Sequence, residues 1–290
     1  MPMPDLPPGP IKRRDFIRTT LGSSFAAAVL PVSAQARHTS SDGLLVGEVT
    51  VPVGGFQMPA YRAAPAGRRS APVVLVVSEI FGVHEHIADI ARRLAHAGYF
   101  AVAPELFARQ GDPGSYGEIG KLVSEVVLKV PDAQVLGDLD ATLAWAAQQG
   151  ADAGHAAITG FCWGGRITWL YAAHSPSLRA AVAWYGRLVG APTPLQPTNP
   201  IDVAPALQVP VLGLYGGQDG GIPQSSIAQM KAALAGGSPA ARQSEFVVYP
   251  QAGHAFNADY RNSYVADAAD DGWRRCLAWL RAHGAAPSAR

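Results

Sequence analysis

Cysteine is nearly absent: the 290-residue chain has only Cys162 and Cys276, too few for a disulfide framework. Charge is sparse as well, at 16% of residues against 48% hydrophobic, which excludes a disordered chain and predicts a sizeable core. The net charge of +1 rests on a basic N-terminus, where Lys12, Arg13, Arg14 and Arg18 face Asp5 alone. The remainder is slightly acidic and carries no basic stripe, so nucleic acid is not an expected partner. Long apolar runs are also missing. The stretch Leu21 to Val32, softened by Gly22, Ser23 and Ser24, falls short of the ~20 residues needed to span a bilayer.

That stretch has another use. Lys12 to Arg18 resembles a twin-arginine signal, and Ala34-Gln35-Ala36 offers small residues for cleavage. The expected organisation is a signal peptide over residues 1–36 and one domain over residues 37–290. The expected partners are the twin-arginine export machinery and a small-molecule substrate. A periplasmic or secreted protein with no stable membrane anchor after cleavage is expected, and a monomer.

Beyond the leader, Leu44–Val53 and Met58–Ala64 read as a hairpin around Gly54-Gly55. Val73–Val77 is a continuous apolar run, the mark of a strand buried on both faces. Ile87, Ile90, Ala91 and Leu94 recur at helical spacing, and Gly98 stops that helix. Tyr99–Ala103 is the next strand, Glu105–Val130 a long excursion, and Asp138–Gln149 a helix. Ala180–Tyr185, Val211–Tyr215 and Phe246–Tyr249 are further strands, with Ala191–Pro210 a proline-rich surface connection. A last helix, Asp271–His283, is expected to bury Trp273, Cys276, Leu277 and Leu280. Alternating strands and helices predict a single α/β domain with a mostly parallel, doubly wound sheet.

Chemistry concentrates at Gly160-Phe161-Cys162-Trp163-Gly164-Gly165. An apolar run precedes it and a helical segment follows, the context of a nucleophile elbow, in which a strained turn lifts one side chain above the sheet. Here that side chain is a thiol, which attacks as thiolate and needs a base with an orienting carboxylate. In α/β-hydrolase order the acid follows the nucleophile and the histidine comes last. Asp219 follows the strand Val211–Tyr215, and His254 follows Phe246–Tyr249. Both fall on the carboxyl edge of the sheet, where ligands bind, giving Cys162, Asp219 and His254 as candidate triad. The other seven histidines have no such context. His84 and His86 with Glu79 lack a fourth metal ligand at a recognised spacing, so neither metal nor cofactor is expected. Glu79, after the strand Val73–Ser78, is on the same edge. The next amide, of Ile80, is an oxyanion donor candidate with that of Trp163. A thiol redox protein and a non-catalytic binding module are the competing readings; no C-x-x-C or nearby second cysteine serves the former.

Taken together, Ser78-Glu79-Ile80-Phe81-Gly82, Ala103 to Arg109, Gly160 to Gly165, Tyr185-Gly186, Gly217-Gln218-Asp219 and Ala252 to Phe256 resemble the dienelactone hydrolase (carboxymethylenebutenolidase) family. The likeness runs from about Gly47 to Leu280. It implies an α/β-hydrolase fold, ester or lactone hydrolysis without a cofactor, Cys162 as nucleophile, His254 as base and Asp219 as orienter. It also implies that Glu79 receives the thiol proton when substrate arrives, with Ile80, Phe81, Trp163 and Tyr185 around the substrate. The family's two arginines for a substrate carboxylate have no counterpart here. Ala258 stands where one falls and Gly120-Lys121 where the other falls, leaving Lys121 or Arg261 as substitutes.

Overall fold

The computed structural model describes residues 36–287. The export-signal reading, apart from Ala36, lies outside the described residues. The chain runs β1 (Leu44–Val53), β2 (Phe56–Pro65), β3 (Pro72–Val77), α1 (Glu85–His96), β4 (Phe100–Pro104), α2 (Ile119–Glu125), α3 (Asp132–Gln148), β5 (Asp152–Phe161), α4 (Trp163–His174) and β6 (Leu178–Trp184). It continues through α5 (Pro200–Val203), β7 (Val211–Gly216), α6 (Gln224–Ala235), α7 (Pro239–Arg242), β8 (Glu245–Tyr249) and α8 (Ala266–Ala282).

All eight strands form one sheet in the order β1-β2-β4-β3-β5-β6-β7-β8. β3 to β8 are parallel, and the β1–β2 hairpin joins antiparallel at the β4 side. Reversal of strand order around β3 gives the doubly wound α/β-hydrolase architecture. The centre of the sheet is dry: Val73 to Val77 are fully buried, as are Ile158, Val182 and Leu214. The apolar stripe of α1 closes over it, with Ile87, Ile90, Ala91 and Leu94 all buried.

Several boundaries differ from the sequence expectation. α3 begins at Asp132, six residues early, because Pro131 occupies its N-cap and Val135 supplies a buried anchor in the first turns. α8 begins at Ala266 and buries Ala268, Ala269, Gly272, Cys276, Trp279 and Leu280. Trp273 and Leu277 are only half-buried. The Arg93 guanidinium lies 4.0 Å above the Trp273 ring, so that indole meets a cation rather than the core. The connection after β6 is also more than surface chain. It holds α5 and a 3-10 turn with Pro200 and Ala204 buried, and Arg166 of α4 donates to Thr198 O at 2.7 Å.

Candidate active site

The turn after β5 is built by glycine. Cys162 has φ 55° and ψ −112°, a left-handed conformation that disfavours side chains with a Cβ. Its amide donates to Trp184 O at 3.0 Å, which pins the bend to β6. A Cβ on Gly160 would lie 2.2 Å from Gly164 O, one on Gly164 2.3 Å from Val77 O, and one on Gly165 2.5 Å from Trp184 O. The first turn of α4 therefore touches the ends of β3 and β6 directly. This contact sets the first turn of α4, with the Trp163 amide that has no carbonyl behind it in the helix, against the end of β3, from which the Ile80 loop leaves. Arg166, one turn on, forms a buried bidentate pair with Asp132, both bonds 2.7 Å, and ties α4 to α3.

The loops after β7 and β8 are stitched together in the same way. Gly217 N donates to Tyr249 O and Gln218 N to Ala252 O, at 2.7 and 2.9 Å. A Cβ on Gly216 would meet Ala252 O at 2.5 Å. Only glycine admits this approach, and it brings Asp219 onto His254: Oδ2 lies 2.7 Å from Nδ1. The other Asp219 oxygen accepts from Gly221 N at 2.9 Å. The carboxylate is buried, whereas His254 keeps about 39% of its side chain exposed. Burial opposes a charge on His254, but the hydrogen bond to Asp219 and the hydrogen bond and charge of Cys162 outweigh it, raising the pKa to about 10. These partners favour the imidazolium form of a ring set between carboxylate and sulfur.

A raised pKa fixes the sign of the pH dependence. The contribution of this histidine to stability is fully present below its ordinary value of about 6.5 and is lost as pH rises through about 10. Thermal melts of the protein and of His254→Gln should therefore differ by a constant amount below pH 6.5 and converge by about pH 10.

Glu79 is buried just beyond β3. Its Oε2 lies 3.2 Å from His84 Nε2 and accepts from the Tyr260 hydroxyl at 3.2 Å. Its Oε1 has no partner among the described residues. Burial alone would raise the carboxyl pKa, but the hydrogen bond and charge of His84, with the charges of His86 and Arg261, hold it near 2. Behind this group His86 Nδ1 lies 2.9 Å from Asp259 Oδ1, and the His84 and His86 rings stack at 6.1 Å. Two histidines that lack context in the sequence thus surround Glu79. His86 and Asp259 are 173 residues apart, and Tyr260 lies 181 residues from Glu79. No local pattern could reveal them. Among the described residues no metal-holding cluster of His, Cys, Asp or Glu occurs.

The four residues expected around a substrate differ in access. Ile80 is partly exposed, while Phe81, Trp163 and Tyr185 are 3%, 8% and 0% exposed. Tyr185 presents its ring to His254 at 5.3 Å. Its buried hydroxyl has no partner among the described residues. Burial, with the charges of Glu79, Tyr260 and Cys162, pushes its pKa well up, so it stays protonated and available as a donor. The Trp163 ring lies tilted against Phe107 at 4.6 Å, its indole N–H buried and without a partner among the described residues. Ala258 is fully buried, and Lys121 is exposed beside Glu118 at 3.8 Å. Arg261 lies 5.5 Å above the Phe81 ring and acts electrostatically on Glu79, so of the two candidate cations it is the one at the site. Cys276 is buried, its thiol raised to about 12 by desolvation, and both cysteines are free.

A doubly wound sheet with a strained turn, an acid and a histidine on successive carboxyl-edge loops defines the α/β-hydrolase class. Within it, residues 58–284 match the model of the dienelactone hydrolase family, and the chain belongs to that family as a hydrolase. A Methylorubrum extorquens carboxymethylenebutenolidase homologue is 57% identical over 278 residues, covering 95% of this chain and 94% of that one. An Escherichia coli homologue is 53% identical over 267 residues, covering 92% and 97%. The crystal structure of a dienelactone hydrolase homologue from Klebsiella pneumoniae, 57% identical, superposes with a TM-score of 0.79 over 82% of this chain and 98% of that one.

Proposed function

We propose that the protein is an exported, monomeric, cofactor-free hydrolase that opens ester or lactone bonds through a thioester on Cys162. Its reading as a periplasmic enzyme delivered by the twin-arginine machinery rests on the residues of the leader. The observation that carries the chemistry is the imidazole of His254, held by Asp219 on one side and facing Cys162 on the other.

With His254 held as a cation by Asp219, the thiol proton needs another acceptor. The candidate is Glu79, whose Oε1 is unpartnered among the described residues and whose pKa rises from near 2 once substrate draws the carboxylate off His84. The thiolate adds to the carbonyl carbon while the amides of Ile80 and Trp163 hold the oxyanion, each such donor being worth about 2.7–4 kcal/mol. Collapse breaks the carbon–oxygen ester bond, and the imidazolium protonates the departing alkoxide. The now neutral His254 takes a proton from water, hydroxide adds to the thioester, and the acid leaves. Glu79 returns its proton to the sulfur, and the cycle closes.

Small aryl esters and a dienelactone are the substrates to assay, with mass spectrometry of quenched reactions to detect an acyl group on the Cys162 peptide. Turnover with no acylated Cys162 under any quench would count against the thioester. Glu79→Gln keeps the shape but cannot take a proton, and should lower kcat by about 100-fold while leaving alkylation of Cys162 by a small thiol reagent measurable. Unchanged kcat would remove Glu79 from the proton path.

A further inference from the structure

The first described residues are held more firmly than a chain entering from a leader requires. Thr39 N donates to the buried Asp89 and Thr39 O accepts from Arg92 Nε at 2.8 Å. Ser40 O lies 2.8 Å from His96 Nε2, and the Arg37 guanidinium pairs with Asp270 at 2.7 Å. The key bond is the backbone one: Arg37 N donates to Asp259 Oδ2 at 2.9 Å. Asp259 is only 4% exposed, and its other oxygen faces His86. Ala36 is exposed, open to a peptidase.

A buried carboxylate spends one oxygen on a single neutral amide, and that amide belongs to the residue that follows the small-residue cleavage motif. We propose that removal of the leader after Ala36 turns the Arg37 amide into an α-ammonium seated on Asp259, making Asp259 the receptor for the processed N-terminus. The new charge braces the loop between β8 and α8, which carries His254 and Tyr260. A charge-assisted bond replaces a neutral one, and such bonds are roughly twice as strong. Processing then completes the fold around the site rather than merely trimming it.

This inference rests on the export reading but needs no substrate, so it fails independently of the hydrolase chemistry. The mature protein from an exporting host should begin at Arg37 by N-terminal sequencing. Its precursor, retained by Arg13→Lys with Arg14→Lys, supplies the comparison. The mature form should melt roughly 3–6 °C higher. The gap should be full below the ordinary α-amino pKa of about 7.8 and close as pH rises through the higher value that the paired ammonium has in the folded state. His86, Asp89 and Arg93 from α1, Asp270 from α8, and Tyr264 also face this position. Both forms carry them, so they cancel in the difference. Asp259→Asn should abolish the gap. If that variant does not fold, a Gly-Ser pair inserted ahead of Arg37 displaces the ammonium with Asp259 intact and should also abolish it. A mature chain starting elsewhere, equal melting of the two forms, or a gap that survives displacement would overturn the proposal.

Discussion

Cys162→Ala is expected to lower kcat for an aryl ester by about 10⁴-fold or more, the scale on which removal of one member of a nucleophilic triad acts. The fold should survive. Alanine keeps the Cβ that Cys162 already carries at φ 55°, and the bend is set by the backbone bond to Trp184 and by the flanking glycines. A melting temperature close to that of the parent, with activity gone, is the expected pair of results. Cys162→Ser should fall between them. A hydroxyl is harder to ionise than a thiol, so serine is the weaker nucleophile at this turn. Full activity in the alanine variant would remove Cys162 from the chemistry.

The second large effect is on the fold. Gly164→Ala adds one methyl group 2.3 Å from Val77 O and 2.6 Å from Ser78 O. Overpacking a core commonly costs about 1–3 kcal/mol where side chains can yield; here both obstacles are backbone in or next to the central strand. Relief requires α4 to move off β3, which separates the Trp163 amide from the Ile80 loop. The expected outcome is a loss of roughly 10 °C or more in Tm, or no soluble protein, measured by thermal melt beside the parent. Gly120→Ala, where a Cβ would meet nothing within 4 Å, is the control and should leave the melt within about 2 °C.

What could be read in the sequence depended on whether a feature is local. Val73–Val77 is apolar at every position because both faces of β3 are covered, and that signal needs no partner. The Gly160 to Gly165 turn is local too, as is the placement of Asp219 and His254 just after strands. The start of α8 was hidden because Ala266 to Asp271 holds only alanine and aspartate and shows no stripe of large apolar residues. α6, over Gln224–Ala235, buries only Ser226, Ile227, Met230 and Leu234 and left a similarly faint pattern. The environment of Glu79 was invisible for a different reason. His84 and His86 are near in sequence, but Asp259 and Tyr260 come from far along the chain. Nothing short of the folded sheet brings them together.

Because the sulfur sits after β5 and its imidazole after β8, a ribosome delivers the two at different moments. A nascent chain displays the bend while the strand and loop that will complete it are still unmade. On the proposed mechanism reactivity therefore arrives late, with the last third of translation, and a truncated product would carry the thiol without the means to use it.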